Sequence, residues 1–216
     1  MKLLAIDAST ERLSLALSVG DEHLTEEKDK LHQHAQSILP MIEALLAKAS
    51  CSLQALDGIV FGRGPGSFTG LRIACSVAKA LAYAHDLPVF PVSGLAAIAD
   101  HVQRKCADTA VLALLDARMN QVYWSYFGPQ GLQGDEKVTD AHNLVVPPSA
   151  VVLAGLGFEA YEHDFPLGLK ALVLEKQVVY PHASAMLHLV ESGKIVPVSS
   201  AEALPVYVRD QVVKSS

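Results

Sequence analysis

One short pattern occurs twice. Leu3-Leu4-Ala5-Ile6-Asp7-Ala8 is followed by alternating Leu13, Leu15 and Leu17, and Leu112-Ala113-Leu114-Leu115-Asp116-Ala117 is followed by alternating Val122, Trp124 and Tyr126. The two Asp residues lie 109 positions apart, each where an apolar run must turn before a second run of period two begins. Val60-Phe61-Gly62-Arg63-Gly64 is echoed more weakly by Leu153-Ala154-Gly155-Leu156-Gly157. A repeated strand–turn–strand unit predicts two halves built alike, which restricts the fold more than composition does. Two apolar strands that both end in Asp-Ala by coincidence are the alternative; duplication is the favoured reading.

Between the two copies the periodicity changes. Residues 3–6, 13–19 and a charged, edge-like stretch at 24–28 read as an opening antiparallel meander. Ile38, Leu39, Ile42, Leu45, Leu46 and Ala49 fall on one helical face, with Pro40 in the first turn or at a kink. Residues 59–61 form a short strand entering a glycine-rich turn, and a small-residue helix follows over 67–85. Residues 88–92 form another strand, after which Ser93 caps a helix to about residue 105. Residues 128–149, rich in Gly, Pro and polar side chains, read as a long loop or insertion. Pro205-Val206-Tyr207-Val208-Arg209-Asp210 reads as an extended piece before a short tail.

Two such halves predict an α/β fold of the duplicated actin-like, ribonuclease H-like kind, with two mixed sheets and flanking helices. The first domain is expected over 1–106, joined by the C-terminal segment 205–216, and a smaller second domain over 107–204. In actin-like kinases, strand-end carboxylates at such hairpins face a nucleotide cleft between the halves. Asp7, Ser9, Gly64, Gly66 and Ser67 are therefore the candidates for a nucleotide site. The competing reading is that Asp7 and Asp116 hydrogen-bond their own turns.

The turn itself, Gly62-Arg63-Gly64-Pro65-Gly66-Ser67-Phe68-Thr69-Gly70-Leu71-Arg72, places glycines where a backbone bends or approaches a neighbour closely. Ser67 or Thr69 can cap the helix, whose free N–H groups suit an anion. No Lys follows as in a Walker loop, the dinucleotide spacing is absent, and Ser is not central as in a hydrolase elbow. By mechanism alone, a structural turn and a phosphate site stand level. Taken with Ala5-Ile6-Asp7-Ala8-Ser9-Thr10, His34-Ala35-Gln36-Ser37-Ile38-Leu39-Pro40-Met41, Asp116-Ala117-Arg118-Met119 and Pro205-Val206-Tyr207-Val208-Arg209, the stretch resembles the signature of the TsaB (YeaZ) family. The resemblance implies a duplicated actin-like fold and a role in placing threonylcarbamoyl on N6 of adenosine 37, in tRNAs reading codons that begin with A. It also implies that the related subunit TsaD performs the transfer from threonylcarbamoyl-adenylate, with the ATPase TsaE as a further partner. The TsaB member forms homodimers and supports TsaD.

Catalysis by this chain itself is not expected. TsaD-like relatives carry a His-x-x-x-His metal pair after the strand that follows the glycine turn. The matching run here, Val92-Ser93-Gly94-Leu95-Ala96-Ala97-Ile98-Ala99, has no metal-binding side chain. His32-x-His34 lacks a third ligand in sequence. Cys51, Cys75 and Cys106 are too scattered for a zinc or disulfide framework and are expected as reduced, buried thiols. No catalytic or metal residue is assigned, no cofactor is expected to be tightly held, and ATP or ADP is placed at the partner junction.

With 17 Lys and Arg against 23 Asp and Glu, the chain lacks the basic stripe of a protein that grips RNA alone. Contact with tRNA is expected only indirectly, with Arg63, Arg72, Arg104 and Lys105 near it in a complex. No apolar run is long enough for a membrane span, and the early Asp7 argues against a signal-peptide core, so a cytoplasmic protein is expected. Gly70, Ala74, Ala78 and Ala82 form a smooth helical stripe that fits either a partner helix or the chain's own sheet. The resemblance favours the partner. The expected interface with TsaD or a second copy comprises His34, Ile38, Met41, Ile42, Leu45, Gly70, Ala74, Ala78 and Ala82. The rival functions are a glycoprotease-like metallohydrolase and an actin-like ATP-binding enzyme; a stand-alone RNA-binding module is the least favoured.

Overall fold

A computed structural model describes residues 1–29, 34–129 and 134–208. Strands β1 (Lys2–Asp7), β2 (Arg12–Val19) and β3 (Glu22–Asp29) form the expected meander. Helix α1 (His34–Lys48) leads to β4 (Gly58–Gly64), helix α2 (Phe68–His85), β5 (Val89–Ser93) and helix α3 (Gly94–Gln103). The second half runs β6 (Val111–Asp116), β7 (Gln121–Phe127), β8 (Lys137–Asp140), β9 (Val151–Leu156), a short helix α4 (Leu167–Lys170), β10 (Val173–Val178) and helix α5 (Ala183–Glu191).

The duplication is a matter of topology. The first sheet has the order β3-β2-β1-β4-β5, and the second, read from its other edge, β8-β7-β6-β9-β10. In each, the first three strands are antiparallel and the fourth and fifth join parallel: β1 pairs β4 as β6 pairs β9. This is a duplicated actin-like fold. Helices α3 and α5, the last of each half, lie together between the sheets. Leu3, Ala5 and Val60 of the first sheet and Val111, Ala113 and Leu115 of the second cover them. The other face of the first sheet, with Leu4, Ile6 and Phe61, carries α1 and α2. Among the described residues, the matching face of the second sheet carries no long helix. Short turns and α4 cover it through Leu144, Phe158, Phe165 and Leu169.

Two details depart from the sequence reading, and one of its two alternatives for Pro40 is excluded. Within the expected loop 128–149, residues Lys137–Asp140 pair with β7 as an edge strand; residues 130–133 lie outside the described chain. Pro40 sits in the interior of α1, not its first turn. Of the cysteines, all free, Cys75 is buried, Cys51 is half-buried and Cys106 is exposed at the end of α3. The C-terminal stretch is ordered against the first sheet: Val198 bridges Val89, Ala203 enters the core beneath α2, and the Val206 N–H donates to the Arg63 carbonyl at 2.7 Å. Arg209, Asp210 and the tail lie outside the described residues. No described helix is long and apolar enough to cross a membrane.

Candidate functional site

The end of β1 and the glycine turn meet directly. Asp7 is 1 % exposed. Its Oδ1 accepts from the Ser9 N–H at 3.1 Å and from the Ser9 hydroxyl at 2.8 Å, which is the turn-bonding arrangement. Its Oδ2 is buried without a hydrogen-bond partner. A Cβ on Gly62 would lie 1.9 Å from that oxygen and 3.1 Å from the Met186 methyl of α5, so the strand passes over the carboxylate only as glycine. Burial pushes the Asp7 carboxyl up to about 7, against the opposing pull of the two Ser9 bonds.

Beyond it, the turn is filled by the chain's own backbone. The Ser67 N–H donates to the Ser9 carbonyl at 2.7 Å, and Ser67 Oγ accepts from Gly70 N–H as the N-cap of α2. Cβ atoms on Gly66 and Gly70 would meet Ser9 O at 2.4 Å and Ala8 O at 1.7 Å. The five candidate nucleotide residues do lie together, with Gly64 against Leu71 and the Val206 carbonyl. What the glycines admit is protein, and Asp7 faces α5. The Ser67 amide and the approaches at Gly66 and Gly70 are taken up by Ser9 and Ala8 of the same chain.

The second hairpin repeats the turn with a difference. Asp116 Oδ1 accepts from the Arg118 N–H at 2.7 Å, as Asp7 does from Ser9, and also from Tyr161 Oη at 3.0 Å. Leu112 and Leu114 face the outer cover of the second sheet, and Asp116 turns to that same side, toward Tyr161. Asp7 turns inward with Leu3 and Ala5. The sequence echo thus aligns two Asp residues that stand on opposite faces of their sheets, and they do not converge on one cleft. Arg118, whose guanidinium also bridges Asp116 at 3.1 Å, has φ +62, followed by Met119 at +56 and Asn120 at +59.

The expected interface residues point inward. His34, Ile38, Ile42, Leu45, Ala74, Ala78 and Ala82 are each at most 3 % exposed, Gly70 rests on the Ala8 backbone, and Met41 is half-buried against the same core. The small-residue stripe packs on the chain's own sheet. His34 bonds the Thr10 carbonyl through Nε2 at 3.0 Å, and His32 lies outside the described residues. Among the described residues no three His, Cys, Asp or Glu side chains converge to hold a metal. Arg63 is committed to Glu136 by two bonds of 3.1 and 3.0 Å, and Arg104 to Asp100 at 3.2 Å.

The opposite faces of the same two helices are apolar and open. Leu39 is 49 % exposed and Phe68 54 %, with Ile73 and Val77 beside them in a shallow groove of 460 Å³. Sequence periodicity had placed Leu39 with the core residues. The available signal was that both helices are apolar on more than one face, as Leu39, Phe68, Ile73 and Val77 lie off the Ile38–Ile42–Leu45 and Gly70–Ala74–Ala78 lines.

The family model described as TsaD, tRNA N6-adenosine threonylcarbamoyltransferase, matches residues 28–170. The tRNA threonylcarbamoyladenosine biosynthesis protein TsaB of Escherichia coli K12 is 36 % identical, with 98 % of this chain and 96 % of that protein covered. Its namesake in Haemophilus influenzae is 34 % identical, covering 98 % and 95 %. The solved structure of YeaZ from Pseudomonas aeruginosa superposes with a TM-score of 0.85 at 36 % identity, over 95 % of this chain and 99 % of that one. A second structure, of an uncharacterised protein with similarity to peptidase YeaZ from Pseudomonas aeruginosa, gives 0.87 at 36 % identity, over 96 % and 99 %.

Proposed function

This chain belongs to the TsaB (YeaZ) family of tRNA threonylcarbamoyladenosine biosynthesis proteins, and we propose that within that pathway it is a non-catalytic partner that docks on the catalytic subunit TsaD. The observation that carries this reading is the outward face of α1 and α2. A chain rarely leaves Leu39 and Phe68 exposed beside the half-buried Ile73 and Val77 in one apolar groove unless a second surface covers them. The covering surface is assigned to TsaD because the matching family model is the TsaD one and spans α1 and α2, so the partner presents a related helix pair. A second copy of this chain offers the same face to itself, and the homodimer is assigned there too, in competition with TsaD.

The closed hairpin supports the non-catalytic half of the proposal. Asp7 is buried beneath Gly62 and Met186, and the glycine turn is packed on Ser9 and Ala8. An adenine nucleotide of the assembly is therefore assigned to the junction with the partner, where TsaE acts as well, and tRNA contact to the complex as a whole. The assembly is cytoplasmic in this reading. Mixing the purified chain with TsaD and weighing the products by sedimentation tests the docking. A one-to-one complex that displaces the homodimer is expected, and two non-interacting species would end the proposal.

A further inference from the structure

The ordered C-terminal stretch meets the rim of this groove. The Lys79 ammonium of α2 donates to the carbonyls of Ala201 and Ala203 at 3.2 and 3.1 Å, and the Val206 N–H is bonded to Arg63. So fastened, the segment lays Tyr207 on the start of α2. The Tyr207 and Phe68 rings are 5.4 Å apart, the Arg72 guanidinium lies 3.8 Å over Phe68, and Arg72 Nε donates to Tyr207 Oη at 3.2 Å.

Arg72 stands apart from the other arginines among the described residues. Arg12 pairs with Glu27 and Asp29, Arg63 with Glu136, Arg104 with Asp100 and Arg118 with Asp116. Among the described residues Arg72 has no carboxylate within ion-pair distance, in a chain whose net charge is −6. Its stacked, hydrogen-bonded guanidinium is held in one orientation with other N–H groups left to donate, so little entropy remains to be lost on pairing. Arginine and aromatic residues fixed beside an apolar groove are the composition of an interface hot spot.

We propose that Phe68, Arg72 and Tyr207 form the polar corner of the docking face, that Arg72 receives a carboxylate from a helix of the docked TsaD chain, and that Tyr207 is the positioning residue that holds it there. This inference rests on the docking reading above and adds the chemistry of the partner's contact. The C-terminal stretch is on this account part of the partner surface.

The test is calorimetric titration of the full chain with TsaD at about 50 mM and about 500 mM salt, across which an ion pair is screened. Arg72→Gln is expected to weaken binding about tenfold at low salt and to flatten its salt dependence. Tyr207→Phe, which removes one hydroxyl, is expected to weaken it about threefold with the thermal midpoint unchanged. Leu39→Glu separates the two claims. If it binds TsaD as tightly as the parent chain, the docking reading itself fails. If it does not bind while Arg72→Gln binds normally, the docking reading stands and this inference is overturned. An Arg72→Gln variant that docks normally but weakens tRNA binding by the complex also overturns it, assigning Arg72 to phosphate.

Discussion

Asp7 has a carboxyl that the fold keeps from water, with one oxygen bonded twice to Ser9 and the other bonded to nothing. Its folded value of about 7 lies above the ordinary 3.8, so between those values the native chain holds a proton that the unfolded chain has released. That contribution to stability is complete below pH about 4 and lost as pH rises through about 7. Asp7→Asn removes it. Urea denaturation at pH 5 and pH 8 should show the variant gaining on the parent toward pH 8 by on the order of 2–4 kcal/mol; an equal gap at both would contradict the burial argument. Gly70 gives a second residue-level test. Because a Cβ there would sit 1.7 Å from Ala8 O, Gly70→Ala should cost more than about 2 kcal/mol in thermal or chemical melts. Gly128→Ala, which among the described residues meets only the Tyr126 ring at 4.0 Å, should cost far less. The sequence supplied Asp7 and the glycines, but both a phosphate site and a close backbone approach use glycine. What fills the space, Ser9 and Ala8 from another element, is not encoded locally.

At the scale of elements, α1 and α2 were legible as helices, but which of their faces the chain's own sheet covers was not. Helical periodicity finds an apolar face but cannot say whether a sheet of the same chain or another protein covers it, and these helices are apolar on both sides. The two faces separate by mutation. Ala78→Arg forces a charge into a site of 0 % exposure and should destabilise the monomer by at least about 3 kcal/mol, seen as lost cooperative melting. Leu39→Glu, on the outward side of α1 at 49 % exposure, should melt like the parent and fail to associate on a sizing column. If Ala78→Arg melts normally and Leu39→Glu associates, the assignment of the faces is wrong. Strand β8 was hidden for a different reason. Its four residues sit among Gly and Pro, and an edge strand that short takes its conformation from the β7 ladder more than from its own pattern.

The whole molecule is two sheets around a shared helical layer, and the repeat in the sequence led to that architecture. It did so despite an imperfect echo, since the matched Asp residues face opposite ways. Strands survive such comparison because burial on both faces keeps them apolar. On the outer face of the second half short turns and the four-residue α4 stand where the first half has α1 and α2, so that face left no helical pattern matching its counterpart, while α5 corresponds to α3. That asymmetry agrees with the proposed role. The first half keeps its two outer helices and presents them, while the second supplies α5, which closes over Asp7. A chain built this way should be inert alone and needed by its partner. The most direct test is threonylcarbamoylation of tRNA in a reconstituted reaction with threonylcarbamoyl-adenylate and TsaD, with and without this chain. Modification is expected only when both proteins are present; modification by this chain alone, or no gain by TsaD from its addition, would contradict the account.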